Sequence, residues 1–145
     1  MRTAIRVDSS AAIGEGHFFR CFNLAREFVQ RKIEVVFVCN ELKHGHAQLV
    51  HDLGCRVVEI ASCENEIADA AAFLDAVTSF EPEIVIVDSY QLKVDWESRV
   101  RSSIKTLVVI ADLPNVKHSC DFIIDQNLTD RTVETWGPMA PGAKI

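Results

Sequence analysis

The sequence predicts an α/β protein built on a doubly wound, mostly parallel sheet of about six strands. Two observations carry this. Six short apolar runs rich in β-branched residues recur along the chain, with helical patterns and short connections between them. The runs are nearly continuous rather than alternating, which is the pattern of strands covered on both faces. Such an alternation is Rossmann-like.

Taken in order, the strands are expected at "TAIRV" (3–7), "EVVFVC" (34–39), "CRVVEIA" (55–61), "EIVIVD" (83–88), "TLVVIA" (106–111) and "DFIID" (121–125). The first helix is expected over 17–30, with Phe18, Cys21, Phe22, Leu24, Ala25 and Phe28 at helical spacing. A second is expected over 43–53. A third, over 64–79, is Ala-rich and would turn Ile67, Ala70, Ala71, Leu74 and Val77 inward. The last falls near 95–104, where Asp95 could cap "WESRVRSSI". Residues 1–128 thus form one Rossmann-like domain. Residues 129–145, with two prolines and two glycines, read as a linker or edge segment leading toward a second domain absent from this chain.

The 145 residues suffice to bury a core. A formal net charge of -6 argues against nucleic acid or an anionic membrane as partner. No apolar run approaches the length of a membrane span. The five cysteines are odd in number and form no C-x-x-C pair, so reduced, mostly buried thiols and a cytoplasmic setting are expected.

The stretch "DSSAAIGEGHFFRC" (8–21) is richer than a strand-to-helix turn requires. Gly14 and Gly16 let the backbone turn sharply or approach a ligand closely. His17 falls in the first turn of the helix, where partial positive charge and free N–H groups also suit an oxyanion. A neutral imidazole there is a candidate general base, and Arg20, one turn on, could reach a phosphate. Packing or capping is the competing role for His17, and an exposed helix position that for Arg20. The glycine pattern is not a full G-x-G-x-x-G, because Phe19 stands at the third position. The second strand ends "FVCNEL", without the acidic residue that a nicotinamide ribose would want, so no such cofactor is expected. His44, His46 and His51 read as a solvated loop and helix face rather than as a metal site, and His118 is left in a loop without a role.

Two more strand ends carry polar residues: Asp88, Ser89 and Tyr90 after the fourth, Asp112 after the fifth. Together with Asp8, Ser9 and Ser10 they point to a cleft at one sheet edge.

The blocks "RVDSSAAIGEGHFFRCFNLAREF", "IVIVDSYQLKVDWESRVR" and "CDFIIDQNL" resemble the nucleotide-sugar hydrolases of pseudaminic acid biosynthesis. Related sequences are often labelled spore-coat polysaccharide biosynthesis proteins. The resemblance runs in order from about residue 4 to 145. It implies the N-terminal half of a two-domain GT-B protein that removes UDP from a 2,4-diacetamido-trideoxy sugar without a metal or other cofactor. It places the catalytic histidine on His17 and a sugar-cleft tyrosine on Tyr90. Members commonly carry two aspartates after the fifth strand, where this chain has Ala111 and Asp112. Because a second GT-B domain supplies most UDP contacts, in cis or in trans, this chain alone is expected to be inactive or weakly active.

Two other readings stand beside this one. The chain could be a free-standing binding or regulatory module, associating with itself as a homodimer or with a partner through Trp136, Pro138 and Met139. It could also be the N-terminal half of a GT-B glycosyltransferase, which differs from a hydrolase in what occupies the acceptor site.

Overall fold

The computed structural model describes residues 1–127 and 132–145. Six strands form one sheet: β1 (Arg2–Val7), β2 (Glu34–Cys39), β3 (Arg56–Glu59), β4 (Ile84–Asp88), β5 (Thr106–Ile110) and β6 (Phe122–Ile124). Their order is β3-β2-β1-β4-β5-β6 and every adjacent pair is parallel. The helices are α1 (Gly16–Gln30), α2 (His46–Asp52), α3 (Glu66–Val77), α4 (Val94–Arg101) and the short α5 (Thr132–Trp136). The chain winds outward from β1 to β3, then returns to lay β4 on the other side of β1. That reversal opens a crevice at the carboxyl ends of β1 and β4, where Val7 pairs with Asp88.

Alternate residues of β1 feed two cores. Ile5 and Val7 join Phe18, Cys21 and Ala25 of α1 and Val50 of α2. Ala4 joins Phe73 of α3 and Trp96 and Val100 of α4. Each such fully buried large apolar side chain contributes about 1.5–3 kcal/mol.

The strands lie where the apolar runs place them: β2 has its expected bounds, β1 starts one residue earlier, and the other four are shorter by one to three residues. Two helix details differ from expectation. In α3, Ile67 and Ala71 face solvent, and the inward positions are Asp69, Ala70, Phe73 and Val77. The helix is turned because Asp69 has partners inside, Arg6 and the indole N–H of Trp96. In α4, Asp95 is in the first turn rather than at the cap, which is Lys93. The Glu66 carboxylate accepts from the N–H groups of Lys93 and Trp96, so α3 caps α4 across space.

The last described segment packs on the sheet. Trp136 is fully buried, its indole donating to Asp125 at 2.8 Å, and Ala140 lies in the same core. Trp136 is therefore not available for the outward partner face considered above. Lys144 pairs alongside Phe122 and covers part of the β6 edge.

All five cysteines are free, four of them buried and Cys63 half-buried. Burial pushes the thiols of Cys21 and Cys55 up, and those of Cys39 and Cys120 up to about 12. A disulfide-type thiol reagent is expected to titrate Cys63 alone at neutral pH in the folded protein, and all five cysteines in denaturant. Prompt reaction of a second native thiol would contradict this packing.

Candidate active site

The cleft at the switch point is built by three loops. The first follows β1 and turns twice before α1. Ser10 Oγ accepts from the N–H groups of Ala12 and Ile13, and Ser10 O from that of Gly14 at 2.8 Å. Gly14 has φ +87°, a conformation that a side chain would strain. Gly16 then opens α1 and sets His17 in its first turn.

His17 is buried, with its ring over the cleft and Tyr90 edge-on at 4.7 Å between centroids. Its Nδ1 lies 2.6 Å from Oδ1 of Asp88. A carboxylate can only accept, so Nδ1 carries a proton and the lone pair of the neutral ring lies on Nε2. Among the described residues Nε2 has no hydrogen-bond partner. Arg20 Nη2 comes within 3.2 Å of Nδ1, but a protonated nitrogen cannot accept from it. That approach reflects the carboxylate the two side chains share.

Asp88 is the hub. It ends β4, is 1% exposed, and also accepts from Arg20 Nε (2.7 Å) and Nη2 (2.6 Å). These bonds push the Arg20 guanidinium up against the opposing effect of burial. Arg20 Nη1 lies 3.7 Å from Asp112, and Asp112 accepts from the Tyr90 hydroxyl at 2.9 Å. That hydrogen bond, with burial and the Asp112 charge, holds the Tyr90 phenol above its usual range. The result is one chain of polar contacts, His17–Asp88–Arg20–Asp112–Tyr90, spanning the ends of β4 and β5.

A cleft of about 220 Å³ lies over this chain, lined by Asp8, His17, Asp88, Ser89, Tyr90 and Gln91 among others. Asp112 lines an adjoining cavity that shares Ser89 and Tyr90. The remaining residues singled out from the sequence stand behind these. Arg20 holds Asp88 from beneath, and Ser10, Gly14 and Gly16 shape the loop. Asp8 lines the cleft, but its Oδ1 is taken by Arg6 and by the N–H groups of Asn40 and Glu41.

Ser9 is not a cleft residue. Its side chain is fully buried, donating to His46 Nδ1 at 2.8 Å and accepting from the Lys43 N–H. His46 in turn donates from Nε2 to Glu15 and stacks on Phe18 at 4.0 Å. The serine–histidine–glutamate composition suggests a nucleophile, but a hydroxyl sealed from solvent meets no substrate. It is a strut between the first and second loops. His46 thus departs from the expected solvated face, whereas His44 and His51 are exposed. Lys43, hydrogen-bonded to Glu15, holds that carboxyl below its usual range.

Three functional-looking groups gave no signal in the sequence. Arg6 is 2% exposed inside β1 and makes a bidentate pair with Asp69 (3.1 and 2.7 Å). Its other partner, Asp8, is at 2.6 Å. Burial alone would lower its affinity for a proton; the hydrogen bonds and charges of Asp69 and Asp8 more than reverse that. Gln91 enters the cleft from the β4–α4 loop. His118 pairs with buried Glu97 beside the adjoining cavity. Among the described residues, no group of three or more His, Cys, Asp or Glu side chains is arranged to hold a metal ion. No helix among them is long and apolar enough to cross a membrane.

No protein-family model matches the chain. It is 25% identical over 127 residues, 88% of its length, to the UDP-2,4-diacetamido-2,4,6-trideoxy-β-L-altropyranose hydrolase of Campylobacter jejuni. It is also 25% identical over 115 residues to an uncharacterized protein of Methanocaldococcus jannaschii. The chain spans 42% and 22% of the lengths of these two relatives. Among solved structures it resembles MurG of Acinetobacter baumannii, with a TM-score of 0.56 and 10% identity over 97% of this chain and 39% of that one. It also resembles the glycotransferase of kitacinnamycin, with a TM-score of 0.55 and 17% identity over 75% of this chain and 30% of that one. At those identities the structural likeness shows the fold alone. The fold is the Rossmann-like α/β unit of GT-B glycosyltransferases, and the sequence similarity to a UDP-sugar hydrolase is weak.

Proposed function

We propose that this chain is the base-carrying, N-terminal half of a UDP-sugar hydrolase of GT-B architecture. Its substrate would be a 2,4-diacetamido-trideoxy sugar, and a second domain, in cis or in trans, would hold most of the nucleotide. The observation that carries the reading is the His17–Asp88 pair. It sits at the switch point of the sheet, with Nδ1 held by Asp88 and His17 lining the cleft. The weak similarity to the Campylobacter hydrolase supplies the substrate class.

In this reading a water bound against His17 attacks the anomeric carbon. Its oxygen forms the new C–O bond, and Nε2 takes its proton. The bond from that carbon to the UDP oxygen breaks, and UDP leaves with the electron pair. Asp88 stabilises the imidazolium that forms and keeps the ring from rotating, as a carboxylate does in a hydrolase triad. Arg20 keeps Asp88 ionised and fixed. Tyr90, tied to Asp112, walls the sugar side of the cleft.

Likeness in fold to two glycosyltransferase structures favours a second reading, transfer to an acceptor other than water. The test is UDP release from the diacetamido UDP-sugar, measured on the protein purified from its source cells, with and without saccharide acceptors. Release without acceptor is expected. Release only with an acceptor would make it a transferase half, and no release in either case would remove both readings.

A further inference from the structure

The cavity next to the cleft has its own built floor. It encloses about 200 Å³ between the β4–α4 loop and the loop after β5, with Leu92, Ala111, Leu113 and Val116 among its walls. His118 lines it with a side chain only 8% exposed. Its Nδ1 lies 2.7 Å from Oε1 of Glu97, which is fully buried and accepts from the Ser119 N–H through Oε2 at 2.6 Å. A carboxylate so placed leaves the proton on Nδ1 and, in the neutral ring, a lone pair on Nε2.

Among the described residues Nε2 has no partner. Nor is it sealed away, since the sealed polar side-chain atom without a partner is Thr3 Oγ1. His118 is the carboxylate-oriented imidazole among the residues that line this cavity. Two carboxylate-oriented imidazoles, His17 and His118, thus line adjoining spaces that share Ser89 and Tyr90.

We propose that this cavity is the subsite for an acetamido substituent of the sugar. The methyl group lies against Ala111, Leu113 and Val116, and the amide N–H donates to His118 Nε2. The inference deepens the proposed function and rests on it. A hydroxyl could donate to the same imidazole but would leave the apolar wall of Ala111, Leu113 and Val116 unfilled. A secondary amide offers a donor for the imidazole and a methyl for the apolar wall, and the polar residues Ser89, Lys93, Asp112 and Asn115 that also line the cavity leave partners for its carbonyl. Burying the methyl favours acetamido over hydroxyl by about fourfold in affinity, since either group can donate to the imidazole.

The test is a titration of histidine-labelled chain, following the ring resonances of His17 and His118 by NMR. The probes are N-acetylglucosamine, glucose and uridine. The His118 ring is expected to respond to N-acetylglucosamine at about a quarter of the concentration glucose needs. Ala111→Leu fills the cavity without touching the His118–Glu97 pair, and should abolish the response. Val116→Phe, from the loop side, should do the same if the first variant does not fold. No His118 response, an equal response to glucose, or a response to uridine alone would overturn the subsite. None of these probes contains UDP. Hydrolysis without a His118 response therefore removes the subsite alone, and a His118 response without hydrolysis removes the hydrolase alone.

Discussion

Replacing His17 with alanine is expected to lower UDP release by about 10²–10⁴-fold while leaving the fold intact, because a positioned general base contributes that much. The fold survives because Asp88 does not lose its charge partner: Arg20 still donates to both of its oxygens. Asp88→Asn is the sharper experiment. An asparagine amide can donate to Nδ1 and so put the ring proton on Nε2, turning the base into a donor. In a serine hydrolase triad the wrong tautomer costs about 10⁴ in rate, and a loss of similar order is expected here. The two variants separate base chemistry from packing. Alanine at 17 should leave unfolding near wild type, whereas asparagine at 88 should destabilise the fold, because Arg20 then keeps only the more distant Asp112 as a charge partner. Rates within a few-fold of wild type for both would take His17 out of the reaction and leave the cleft as a binding site.

Most of the fold was legible because burial on both faces writes itself into each strand locally. Six apolar runs are enough to locate six strands, and the spacing of helices between them implies parallel pairing. What escaped was polar and non-local. Asp69 looked like the solvent side of an amphipathic helix, and only Arg6 and Trp96, far away in sequence, make it an inward residue. That one carboxylate turned the expected face of α3, exposing Ile67. His46 looked solvated for the same reason: its partners Ser9 and Glu15 belong to another loop.

The candidate site shows the same division. The strand-end positions of Asp88, Tyr90 and Asp112 could be placed near His17 from the sheet class alone. Which of these touch could not, because that depends on strand order and on one arginine satisfying one carboxylate. Ser9 and Ser10 share the motif with His17 yet serve the loop, since a turn needs acceptors for its own N–H groups before it can offer any to a ligand.

The Arg6–Asp69 pair gives the largest stability prediction. Asp69→Ala is expected to destabilise the protein by about 3–5 kcal/mol, the usual cost of leaving one member of a buried ion pair uncompensated. For a domain of this size that lowers the thermal midpoint by roughly 10 °C. Arg6 is too deep to reach water, and Asp8 alone, itself engaged by two backbone N–H groups, offers it one oxygen. The Trp96 indole N–H would be orphaned as well. The double variant Arg6→Met, Asp69→Leu removes both charges together and is expected to cost less than Asp69→Ala, despite changing more atoms. Denaturant unfolding of Arg6→Met, Asp69→Leu and the double would close this cycle. A double variant as unstable as the sum of the singles would mean that the charges do not act on each other. The pair lines a separate cavity, which shares Asp8 and Gln91 with the cleft. If the cycle closes as expected, the energy that fixes the first loop therefore comes from a charge pair joining β1 to α3, on the face of the sheet opposite His17.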